Sequence, residues 1–163
     1  MNGPPDPGGN PFDHDHPGGR CRKRIQNRLH QNLKRVPGLV DVRYERSGAG
    51  IDMQLRADVD TAIFADGVID AADAYVQVNW WPDAGADDAD WFQIHYTDAT
   101  GFDCGWHRQP NEHVDGLDHY QERPSSDADC EYEPLTLDAE SPVGILWEIV
   151  GGRLADRLHD RYG

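Results

Sequence analysis

Two runs of alternating residues flank a glycine-closed turn between Phe92 and His107, and few folds accommodate such a pair. Phe92, Ile94 and Tyr96 alternate with Gln93, His95 and Thr97. Phe102, Cys104 and Trp106 alternate with Asp103, Gly105 and His107. Period two marks a half-buried strand. Ala99-Thr100-Gly101 suits a three-residue loop that ends with glycine in the left-handed region as a G1 bulge. That loop pairs Asp98 with Phe102, Tyr96 with Cys104 and Ile94 with Trp106. Every apolar residue then falls on one face, and Gln93, His95, Thr97, Asp103 and His107 share the other. Slipping either strand by one residue would mix the faces.

The polar face is where chemistry or recognition would sit. Asp103 is placed to orient His95 or His107 as a carboxylate orients a base or a metal ligand, so these three are the candidate catalytic residues. The run from Arg108 to Arg123 is rich in Pro, Asn and Gly and reads as a loop; Asn111, His113, His119 and Arg123 are its candidate binding residues. His107, His113 and His119 recur every six residues. That spacing fits neither one helix face nor a compact zinc pattern, so no metal ligands are assigned. Two readings stay open: hydrogen-bonded histidines on a polar face, or a catalytic or metal site. There is no nucleophile elbow and no phosphate-binding glycine loop, and no cofactor is implied.

At 163 residues the chain is long enough for one cored domain with a tail. Its charge of −15 comes from 23 Asp and 7 Glu against 13 Arg and only 2 Lys. Dense aspartate with scarce lysine suggests adaptation to molar salt, where self-repulsion is screened and carboxylates hold water. Three cysteines without a C-x-x-C suit a reducing cytosol. No apolar run has the length of a membrane span, and no secretory h-region is present. A cytoplasmic protein without membrane contact is the expectation.

Residues 1–19, Pro- and Gly-rich, read as a disordered tail. Residues 20–36 are the electrostatic exception. They hold Arg20, Arg22, Lys23, Arg24, Arg28, Lys34 and Arg35 and no acid, whereas residues 37–163 carry 27 acidic and 8 basic residues, a balance of −19. Cys21, Ile25, Leu29, Leu33 and Val36 form an apolar stripe, so a basic amphipathic helix is expected, ended by Pro37-Gly38. One reading makes it a nucleic-acid binder; the other docks the stripe on the sheet with the basic face near the acidic body. Salt opposes the first reading, because phosphate binding weakens as counterions increase. The break at Pro37-Gly38 predicts that the helix is dispensable to a single α+β domain over residues 37–163.

Strands are expected over residues 39–46, 51–59, 74–81, 91–97, 102–107 and 132–137, with an acidic loop over 82–90. Ser141 followed by Pro142 announces a helix start, and Val143, Trp147, Val150, Leu154 and Leu158 give that helix its apolar stripe. Arg153, Arg157 and Arg161 among Asp156 and Asp160 read as a solvated face. The fold class is therefore α+β: a mostly antiparallel sheet of about five to six strands, with the C-terminal helix on one face and the basic helix a second candidate for it.

Asn79-Trp80-Trp81-Pro82, His95-Tyr96-Thr97-Asp98, Thr100 to His107, Pro110-Asn111 with His113, and His119 to Arg123 resemble small acidic proteins of halophilic archaea. That resemblance implies the fold and a cytoplasmic location but no chemistry. A hairpin followed by a Pro/Asn/His loop and a helix is more distantly similar to TumE-type toxins of toxin–antitoxin pairs, over roughly the C-terminal half; the loop lacks the adjacent histidine pair of that pattern. Three functions follow, in order: a binding or regulatory module using the His/Asp face and the following loop, with an antitoxin-like protein as partner; a toxin-like ribonuclease or hydrolase with a histidine general base; and nucleic-acid binding through residues 20–36.

Overall fold

A computed structural model of the chain describes residues 19–46, 53–82 and 90–163, with side chains from Cys21 onward. The expected tail and most of the acidic loop lie outside the described residues. Seven strands follow one another: β1 (Leu39–Arg46), β2 (Met53–Val59), β3 (Tyr75–Trp81), β4 (Trp91–Thr97), β5 (Asp103–Arg108), β6 (Asp118–Arg123) and β7 (Glu131–Pro134). Their order in the sheet is their order in sequence, and every neighbouring pair is antiparallel. The hairpin of β4 and β5 adopts the register that alternation demands, with Tyr96 opposite Cys104 and Ile94 opposite Trp106. Gly101 closes the turn at φ 84°, and its N–H bonds the Asp98 carbonyl at 3.1 Å.

Seven strands replace the expected five to six because β6 occupies part of the stretch read as loop. Its sequence, Asp-His-Tyr-Gln-Glu-Arg, has polar residues on both faces, so no apolar alternation announces it. Only Tyr120 turns an apolar ring to the core side, beside Trp106 at 5.0 Å between centroids.

One apolar face carries Leu55, Ala57, Val76, Val78, Trp80, Phe92, Ile94, Tyr96, Cys104 and Trp106 into a single buried cluster with both terminal helical segments. The C-terminal segment comprises α2 (Pro142–Glu148), a π-helical turn (Ile149–Arg153) and α3 (Leu154–Tyr162). Ser141 caps α2 by accepting the Gly144 N–H at 3.0 Å, with Pro142 in the first turn. Leu146, Val150, Leu154 and Leu158 are four apart and all buried. Four-residue spacing drifts about 40° per step on a 3.6-residue helix; the extra residue of the π turn, in which Leu154 N–H bonds the Ile149 carbonyl, offsets that drift.

The basic helix, α1 (Gly19–Leu33), is part of the same core. Leu29 and Leu33 are fully buried, and Trp147 donates its indole N–H to Asn32 at 2.9 Å. The boundary expected at Pro37-Gly38 is therefore no domain boundary. It is a tight connection in which Gly38, at φ 88°, backs onto Phe64; a β-carbon there would lie 2.5 Å from the Phe64 nitrogen. The stripe also differs from the sequence reading in its first turn. Cys21 is exposed, while Arg22 and Gln26 are buried and reach the Met53 carbonyl at 3.3 and 3.2 Å. The Arg22 guanidinium also lies over the Trp81 ring at 5.3 Å, a cation–π contact that lets a charged side chain be buried here.

Candidate functional site

The sheet face away from both helices is polar. On β3, β4, β5 and β6 it presents Gln77, Gln93, His95, Thr97, Asp103, His107, His119, Gln121 and Arg123, positioned by the period of two and by cross-strand pairing. His95 lies opposite Gly105, Thr97 opposite Asp103, His107 opposite His119 and Asp103 opposite Arg123. The three expected catalytic residues come together. His95 Nδ1 donates to Asp103 Oδ1 at 2.8 Å, and Thr97 Oγ1 donates to Asp103 Oδ2 at 3.3 Å. His95 Nε2 hydrogen-bonds His107 Nε2.

Gly105 makes that contact feasible. It sits between the two imidazoles, and a β-carbon on it would lie 2.6 Å from His95 Nε2 and 2.9 Å from His107 Nε2. Any other residue would push the rings apart.

Burial grades along the chain of histidines. The side chains of His95 and Asp103 are 19% and 26% exposed, whereas His107 and His119 are fully buried. Burial first, then the neighbouring charges of His95 and His119, holds His107 well below the ordinary histidine value. His119 is also lowered, chiefly by burial, against an opposing hydrogen bond to the Leu117 carbonyl. For Asp103, burial pushes upward, but the hydrogen bond and charge of His95, the charge of Arg123 and the Thr97 hydroxyl outweigh it and keep the carboxyl below its ordinary value.

Proton placement follows from these partners. With Nδ1–H given to a carboxylate, His95 in its neutral form offers a lone pair at Nε2, and His107 in that form carries its proton on Nε2. His107 Nδ1 then remains a buried acceptor with no partner among the described residues. His119 donates Nδ1–H to the Leu117 carbonyl at 3.1 Å, and Asn111 Nδ2 lies 3.4 Å from its Nε2. Both nitrogens of His95 are thus engaged within the protein, where a general base would keep one free beside open space.

The loop from Gln109 to Leu117 closes over one end of this face. Its ends meet through Gln109 N–H to the Leu117 carbonyl at 3.1 Å, and Gln109 accepts from Gln93 at 2.7 Å. Asn111 also caps its own turn by accepting the His113 N–H at 2.8 Å. His113 is exposed and stacks on Tyr132 at 4.5 Å, apart from the His95–His107 pair. Arg123 is exposed at the rim. Gly105, Gln121 and Tyr132 join the site without having been expected; the available signal was a glycine in mid-strand. Among the described residues no group of three or more His, Cys, Asp or Glu side chains is placed to hold a metal ion. Among the described residues no helix is long and apolar enough to cross a membrane.

The seven basic residues of the 20–36 segment divide. Arg22 is buried and leaves the candidate nucleic-acid row. Lys23 is half-buried and engaged, and the Arg20 side chain lies outside the described residues. Arg24, Arg28, Lys34 and Arg35 are exposed. The second basic row, expected to be solvated, instead ties the C-terminal helix down. Arg153 bonds Glu148 at 3.0 Å, Arg157 pairs with Glu122, and Arg161 donates to the Pro124 carbonyl at 3.1 Å over the Phe102 ring.

No protein-family model, curated protein or solved structure matches this chain.

Proposed function

We propose that this protein is a binding or regulatory module that takes a protein partner, of the antitoxin kind, on the polar face of its sheet. The observation that carries this reading is the internal engagement of both His95 nitrogens. The face is organised as a fixed hydrogen-bonding surface, with Asp103, Arg123 and His113 at its accessible rim, and such preorganisation lowers the ordering cost of association. The excess of 23 Asp over 2 Lys supports a working place in cytoplasm at high salt. The test is complex formation with the product of the adjacent gene, followed by calorimetry. His95→Ala and Arg123→Ala should each weaken binding about tenfold or more, a loss of about 1.4 kcal/mol, with the near-UV spectrum of the fold preserved. Absence of a complex, or full affinity in both variants, overturns the reading.

The 2.8 Å contact of His95 with Asp103 favours a second reading, a ribonuclease or hydrolase in which His95 accepts a proton after releasing His107. Single-turnover cleavage of an RNA oligonucleotide decides it. Cleavage should disappear in His95→Ala; cleavage equal in wild type and variant, or none in either, eliminates it.

A further inference from the structure

The outward side of α1 carries Arg24, Asn27, Arg28 and Gln31, and the turn after it adds Lys34 and Arg35; all six are exposed. Arg24, Arg28, Lys34 and Arg35 have no ion pair among the described residues. Five arginines elsewhere are paired. Arg43, Arg56, Arg108, Arg153 and Arg157 each sit within 4 Å of a carboxylate. Among the described residues, a chain with 30 acids places no carboxylate against those four exposed cations.

That arrangement is costly to the helix itself. The first turn of α1 has no acid, and Lys23 and Arg24 stand near the positive end of the helix dipole. Arg24 and Arg28 repel as a like-charged pair four residues apart. Among the described residues no carboxylate pairs with Arg24, Arg28, Lys34 or Arg35, so this part of the surface is open to an anion.

We infer that the outward side of α1 docks the phosphate backbone of a nucleic-acid duplex. Arg24, Arg28 and Gln31 follow one another at helical spacing over about 10 Å, roughly the length of three phosphates on one strand, and Arg35 extends the row from the turn. None of these six exposed side chains is apolar or aromatic, the kind of residue that centres a protein interface or enters a lipid boundary. A phosphate backbone requires neither, and arginine with interspersed amides is the chemistry that meets it. The row lies on the helical side of the sheet, away from His95, so it acts independently of the partner-binding face.

The experiment titrates full-length protein against a labelled 20-bp DNA duplex and its RNA counterpart. The KCl series covers concentrations at which the near-UV spectrum shows the fold intact. With four phosphate contacts the plot of log K against log salt should slope at about −3.6 for DNA. Arg24→Gln, Arg28→Gln, Lys34→Gln and Arg35→Gln together should weaken binding at least thirtyfold. The same three arginines changed to lysine should retain most of it, and His95→Ala should leave it unchanged. DNA and RNA binding alike fit a shared phosphate site; a preference for one names the duplex. Four outcomes overturn the inference: no binding while the fold is intact, a slope near zero, wild-type affinity in the quadruple glutamine variant, or binding of polyglutamate or anionic vesicles in preference to both duplexes.

Discussion

Gly105 is the cross-strand partner of His95, and a β-carbon on it would lie 2.6 Å from that imidazole. In most strands, replacing glycine by alanine stabilises by about 0.5–1 kcal/mol through backbone entropy. Here the sign reverses. Gly105→Ala should destabilise by about 1–3 kcal/mol, because the added methyl separates His95 from His107. Urea unfolding measures the loss. Combining it with His95→Ala should return part of the stability, as expected for residues that compete for one volume.

Acid should unfold this protein in two stages. His107 and His119 have folded values below the ordinary 6.5, so the unfolded chain takes up protons that the native state refuses. Their stabilising contribution is complete above 6.5 and is lost as pH falls below it, by up to about 1.4 kcal/mol per pH unit for each histidine. Asp103 is also depressed, from 3.8, so its contribution is complete above that value and disappears at still lower pH. Unfolding free energy measured from pH 8 to 2 should show both stages. His107→Gln should flatten the first and leave the second.

Leu33→Ala should cost about 2–5 kcal/mol, the range for a fully buried leucine. Removing residues 1–36 should abolish the cooperative near-UV melt. A deleted form that melts as the whole chain does would return α1 to the status of an appendage.

Molar KCl should raise the melting temperature relative to dilute buffer. Residues 37–163 have 27 acids for 8 bases, and screening relieves their repulsion. Equal melting in both buffers would count against salt adaptation.

Alternation made much of this fold legible. The hairpin, its register and its polar face follow from Phe92 to His107, because a strand with one buried face leaves a single acceptable pairing. β6 stayed hidden because Asp118, His119, Gln121 and Arg123 offer no apolar period; its place is set by β5 on one side and β7 on the other. The proximity of His95, Asp103 and His107 could be read from register. Their protonation pattern could not, since it depends on which ring nitrogens meet and on the fully buried state of His107. The burial of Arg22 in α1 is not legible for a related reason: it depends on a guanidinium that lies over the Trp81 ring and also finds a carbonyl.

A sheet whose strands run β1 to β7 in chain order has a kinetic consequence. Each hairpin closes a short loop, so the sheet can assemble progressively as the polypeptide lengthens, without waiting for distant segments. The helices behave differently. Asn32 and Trp147, 115 residues apart, meet only after α2 has been made. Until then Phe92, Ile94 and Trp106 lack the leucines of α2 and α3 that seal them. The vulnerable species in synthesis is therefore a finished meander with one greasy side open, and the interval in which it needs protection ends when the last helix settles.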